Sequence, residues 1–232
     1  IAALRRPPAP DTLAPAFSYA QSAIAAGITV PSLTTLNSPH LGSPTYDIAL
    51  DPAKFRPSVL RDWGQEFAES GDGLVRYQTQ GGAGAIEVLT TGPHATADPA
   101  SWDAQQVGML DGVAVTLIAG DRCGVTCTTG PNPQRSLTRR RLRTDGTVPV
   151  YSQLIEPCPT PCRTPPGAVV VPAGLLPAGT VRKTFPTIHS TYDTQRLGLP
   201  PTLSVSKNPE AIKYLVKTVV GHWHAAGEPV TP

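Results

Sequence analysis

The chain has 232 residues, a formal net charge of +2, 16% charged residues and 40% apolar residues. That is enough for one ordinary domain or a large piece of one, too apolar for a disordered tail, and too nearly neutral to argue for nucleic acid or a membrane surface as partner. The 27 prolines are about twice the usual ~5% share; they are spread along the chain, which predicts many fixed turns and long irregular connections.

In chain order, the first predicted element is a helix from Asp11 to Gly27, capped by Asp11, filled with alanine and ended by Gly27. A β-rich run follows from Ile28 to Leu36 and stops in a turn cluster from Asn37 to Pro44. Helix, strand and polar loop make one step of an α/β repeat. Residues 45–110 are less regular. Pro57–Glu69 has helical spacing, with Val59, Leu60, Trp63 and Phe67 on one face, while Ala85–Leu89 and Trp102–Leu110 read as short core-packing segments. Gly81, Gly82 and Gly84 form a flexible turn rather than a phosphate loop, because no Lys-Ser/Thr follows.

Val113–Ala119 is the clearest strand: almost continuously apolar, as expected of a parallel strand buried on both faces. Ala168–Val171 reads as a further short strand, and Val181–Ile188 leads into His189. The last element is a helix from Asn208 or Pro209 to about His222. Asn208 is a good cap, Pro209 suits the first helical position, and Ile212, Leu215, Val216 and Val219 form an apolar stripe.

No run reaches the ~18 apolar residues of a membrane span. The opening Ile1–Arg6 lacks the basic-then-apolar order of a signal peptide, and a start at Ile rather than Met leads us to expect a processed chain, a truncation or a fragment. The four cysteines form two close pairs, Cys123 with Cys127 and Cys158 with Cys162, among Gly, Pro and Thr. Three disulfide connectivities are open. The spacing also permits zinc, but the loop setting favours disulfides over zinc or free thiols, and hence a secreted or extracytoplasmic compartment. The basic run Arg139, Arg140, Arg141 and Arg143 reads as a solvated face before it reads as an anion site.

Three segments in a fixed order carry the chemistry. The first is Leu33–Ser43, reading LTTLNSPHLGS. The second is Asp145-Gly146-Thr147-Val148-Pro149, closely followed by Ser152. The third is His189, within Phe185–Thr191. The first resembles the "TLGTPHxGS" strand and loop of bacterial lipases, and the second the "DGTVP" loop that carries their catalytic acid. The set is similar to the part of a lipase- or esterase-type α/β-hydrolase that follows its nucleophile, where the triad runs Ser, then Asp or Glu, then His along the chain.

The resemblance covers much of residues 20–50 and 110–195. It implies a mostly parallel sheet flanked by helices and joined by long Pro-rich loops, the C-terminal part of an α/β-hydrolase fold. Residues 1–232 then form a single incomplete domain, with 45–110 as a lid or side-wall insertion. It also implies Asp145 and His189 as catalytic acid and base, a hydrophobic ester or lipid as substrate, and no metal or cofactor.

The residue chemistry agrees with these roles. A histidine near neutrality can take a proton from a hydroxyl and return it to a leaving group, while a carboxylate holds its tautomer and stabilises the imidazolium. Gly146 lets the chain turn sharply after the acid. Both groups are expected on loops beyond the carboxyl ends of parallel strands.

No Gly-x-Ser-x-Gly pentapeptide occurs. The serine is expected upstream of Ile1, with Ile1–Arg6 as the tail of its helix, so an N-terminal segment or a second chain would complete the fold. Ser43 and Ser152 are expected to be loop hydroxyls making local hydrogen bonds. His40 is expected to pack or hydrogen-bond nearby. Asp121 is the rival acid. His222 and His224, two apart on a helix, diverge too far for a metal site. Two other readings stand beside the hydrolase: a non-catalytic, hydrolase-like binding protein, and a disulfide-stapled structural domain in which Asp145 and His189 lie far apart.

Overall fold

The structure is a computed structural model, and it describes residues 30–44, 46–47, 102–122, 143–157, 171–225 and 227. The helix predicted from Asp11 to Gly27, the segments Pro57–Glu69, Gly81–Gly84 and Ala85–Leu89, the arginines 139–141 and all four cysteines lie outside the described residues.

The centre is β2, Ala114–Gly120. It pairs in parallel with β1, Ser32–Leu36, from Ser32 opposite Ala114 to Leu36 opposite Ile118. On its other side it pairs in parallel with β3, Val181–Phe185, from Thr116 opposite Val181 to Gly120 opposite Phe185. The expectation of a doubly buried strand holds, because the adjacent residues Leu117 and Ile118, which point to opposite faces, are 1% and 0% exposed. Burying each such side chain is worth roughly 1.5–3 kcal/mol.

Val113, Val115, Leu117 and Ala119 enter a core with Leu41, Leu175 and the short helix α2, Val150–Leu154. Ile118 faces the other way, into a smaller core with Leu36, Phe185, Val205 and the long helix α4, Pro209–Ala225. Helices on both faces of a parallel sheet make this an α/β arrangement. Before β2, the chain forms a single turn of helix, α1, Trp102–Gln105. Between β3 and α4 come α3, Thr191–Arg196, and two 3-10 turns, Pro201–Leu203 and Val205–Lys207.

The last helix starts as predicted: Asn208 Oδ1 accepts the Ala211 N–H at 3.0 Å, and Pro209 is the first helical residue. Its packed face differs from the predicted stripe. Ala211, Tyr214 and Leu215 meet the sheet, whereas Val216 and Val219 are exposed. Ala211 is fully buried, and the i, i+3, i+4 row that starts from it, Ala211, Tyr214 and Leu215, faces the smaller core. Val171, placed in a short strand by sequence, has irregular backbone and packs beside the larger core. No helix among the described residues is long and apolar enough to cross a membrane.

Candidate active site

The site is built at the carboxyl ends of β2 and β3. Residues 144–149 form a tight loop closed by a Thr144–Pro149 bridge. Within it Asp145 turns its carboxylate back on its own backbone, where Oδ1 accepts the N–H groups of Thr147 at 2.9 Å and Val148 at 2.7 Å. An aspartate accepting amide hydrogens a few residues ahead is what makes this sequence turn. Gly146 has φ +107°, and a Cβ there would stand 3.3 Å from Arg122 Nη1. Glycine is therefore required for conformation, and a larger residue would also crowd the Arg122 guanidinium.

The second carboxylate oxygen is left for the histidine. His189 Nδ1–H donates to Asp145 Oδ2 at 2.8 Å, and the His189 backbone N–H donates to the Asp145 carbonyl at 2.9 Å. The preceding residue is pinned as well: Ile188 N–H donates to the Leu203 carbonyl at 2.8 Å, and its own carbonyl accepts from Val205 at 2.9 Å. Asp145 is wholly buried, while the His189 side chain remains 29% exposed. With Nδ1 committed to the carboxylate, Nε2 is the basic nitrogen. Burial works against the His189 imidazolium, but the charge and hydrogen bond of Asp145, with the charge of Asp193, outweigh it and raise the pKa above the usual 6.5.

The Leu33–Ser43 segment joins the same assembly. Leu41 N–H donates to Ser152 Oγ at 3.0 Å, and the buried Ser43 hydroxyl donates to the Thr147 carbonyl. The expectation of local hydrogen bonds for these serines is corrected: both bonds span more than a hundred residues of sequence, and Ser152 lies in α2 rather than in a loop. Two loops far apart in sequence need tying together at the sheet end, and a buried hydroxyl can do so without carrying charge into the core. Neither serine stands in a strand-to-helix elbow.

Comparison of the chain with family models, curated proteins and solved structures finds no match.

His40 hydrogen-bonds Thr35 through Nε2 at 2.9 Å and lines a pocket of about 150 Å³ with Asp103, Met109, Leu110 and Leu175. Asp121, the rival acid, ion-pairs with Arg143 at 2.9 Å, so the carboxylate that meets the histidine is Asp145. That pair also engages one arginine of the basic run. No group of three or more His, Cys, Asp or Glu among the described residues could hold a metal ion.

Three structural contributors escaped the sequence reading. Gln153, fully buried, accepts the Gly120 N–H at 2.8 Å and donates Nε2 to the carbonyls of Val148 at 2.8 Å and Gly120 at 3.2 Å. It therefore clamps the end of β2 to the acid loop. Arg122 is 2% exposed and lies against Gly146. Ser190 and Asp193 form a helix cap directly after His189. Only the last left a readable signal, a Ser-x-x-Asp spacing of capping-box type.

Proposed function

We propose that this chain is the acid–base part of a secreted, lipase- or esterase-like serine hydrolase of the α/β-hydrolase type. Asp145 orients His189, and His189 Nε2 takes the proton of a serine hydroxyl as it attacks the carbonyl of a hydrophobic ester. The histidine then returns the proton to the departing alkoxide, leaving an acyl-enzyme that water clears by the same relay.

The single observation that carries this reading is the 2.8 Å contact between a partly open imidazole and a wholly buried carboxylate. Two catalytic groups within hydrogen-bond reach at the carboxyl ends of parallel strands are what the chemistry requires. This reading needs a serine in an elbow pentapeptide, and residues 1–232 contain none. The edge of β1 supports the addition of a further strand. The β1 strand carries no charged residue, and among the described residues it has a strand neighbour on one side only; an uncharged edge suits pairing with a further strand. The two cysteine pairs in loop sequence support an extracytoplasmic setting.

The test is hydrolysis of p-nitrophenyl esters by the full-length product of the reading frame that encodes these residues. His189→Ala and Asp145→Asn should each lower kcat by about 10²–10⁴-fold with folding intact. Turnover unaffected by His189→Ala would overturn the reading. A non-catalytic, hydrolase-like binding protein is the second reading, favoured by the exposed Val216, Val219, Val220 and Trp223 on α4. It predicts a full-length product that does not turn over esters.

A further inference from the structure

The pocket beside His40 lies on the α2 side of the sheet, where Leu110, Ile155 and Leu175 pack with the larger core. One wall is α1 and the turns that lead from it into the amino end of β2, whereas Asp145 and His189 stand beyond the carboxyl ends of the strands. Asp103, Gln106 and Leu110 follow at i, i+3 and i+7, so one face of these turns lines the pocket, while Val107 is 43% exposed. The Gly108 N–H donates to the Gly174 carbonyl at 3.3 Å, which ties these turns to the segment that carries Leu175.

Two features set the pocket apart from a packing gap. Asp103 is only 4% exposed, so a carboxylate is buried in a wall that is otherwise largely apolar. An acid in the first turn of a helix is ordinary; one buried beside an apolar cavity is not. Ile155, at the end of α2, has φ +51° and ψ +60°. That left-handed conformation usually goes to glycine or asparagine at a helix end, and it is a genuine outlier for a β-branched residue. Here it keeps an isoleucine on the pocket wall. Strained residues of this kind gather at ligand sites.

We propose that this pocket binds a small organic amine, its ammonium group against Asp103 and Gln106 and its apolar body among Met109, Leu110, Ile155 and Leu175. An ionised carboxylate has about four acceptor sites, so Asp103 can receive the ammonium whatever else it holds. Burial makes an opposite charge the favoured partner. The volume of about 150 Å³ sets the size of the ligand; an apolar cavity of ~150 Å³ takes one benzene ring. The site does not depend on His189 being a base, so its failure and that of the hydrolase reading are read out separately.

Met109 is the only methionine in the chain. In protein labelled at the methionine methyl, one NMR resonance therefore reports on the pocket. The experiment is a titration of the full chain with benzylamine and with toluene, which has the same ring and no amine. Benzylamine should shift the Met109 methyl saturably and bind about tenfold or more tighter than toluene. Asp103→Asn should remove that preference and leave toluene binding as it was. Leu110→Trp, which fills the pocket, should abolish the shift by both. A Met109 signal that benzylamine does not move would overturn the proposal, as would toluene binding as tightly as the amine, or a shift that persists in Leu110→Trp. If Asp103→Asn does not fold, the comparison of the two probes on the wild-type chain decides whether the amine is recognised.

Discussion

At the scale of single residues the site depends on how close groups come at the sheet end. A Cβ on Gly120 would lie 2.9 Å from Thr187 Oγ1 and 3.0 Å from both Asn37 Nδ2 and Asp145 Cβ. Glycine at the last position of β2 thus lets the acid loop settle against the strand. Asn37 has φ +50°, a left-handed conformation that asparagine tolerates better than other side chains. His189 gives this scale its pH dependence. Its pKa in the folded chain is raised, so the stabilisation from its partners is complete below the unfolded value near 6.5 and is lost as pH rises through the folded value. As the base of the proposed hydrolase, however, His189 must be neutral to accept a proton. Across this window ester hydrolysis should therefore rise with pH while the melting temperature falls. Parallel pH profiles of rate and thermal unfolding check this; a melting temperature that climbs through the window would contradict the raised pKa.

At the scale of elements, β2 and α4 were legible because their signals are local: a near-continuous apolar run for one, an Asn-Pro start and helical spacing for the other. The face that α4 presents was only partly legible, since Ala211, Tyr214 and Leu215 pack inward while Val216 and Val219 of the predicted stripe are exposed. Nor was the role of α2, which sequence left inside a loop. Its Gln153 reaches β2 and the acid loop through contacts distant in sequence, and no periodicity encodes such a clamp. Gln153→Leu is similar in size but leaves the Gly120 N–H and carbonyl without their buried partners. It should cost about 2 kcal/mol or more, measured by urea denaturation, and should weaken the Asp145–His189 contact by releasing the loop.

At the scale of the whole molecule, the described part is a three-stranded parallel sheet covered on both faces, with its chemistry gathered at one end. Asp145 and His189 were named from short motifs, and the fold brings them together, which removes the reading in which they lie apart. The two outer strands differ. β3 carries Arg182 and Lys183 exposed at its edge, whereas β1 is half-buried and uncharged throughout. Exposed charge blunts a free edge, and its absence leaves β1 suited to another strand. In the proposed hydrolase Asp145 and His189 act as one unit on a hydroxyl, and a double-mutant cycle on ester hydrolysis by the full-length product tests this. If the two act as a unit, Asp145→Ala combined with His189→Ala loses no more kcat than His189→Ala alone; losses that multiply would show independent residues and contradict the dyad.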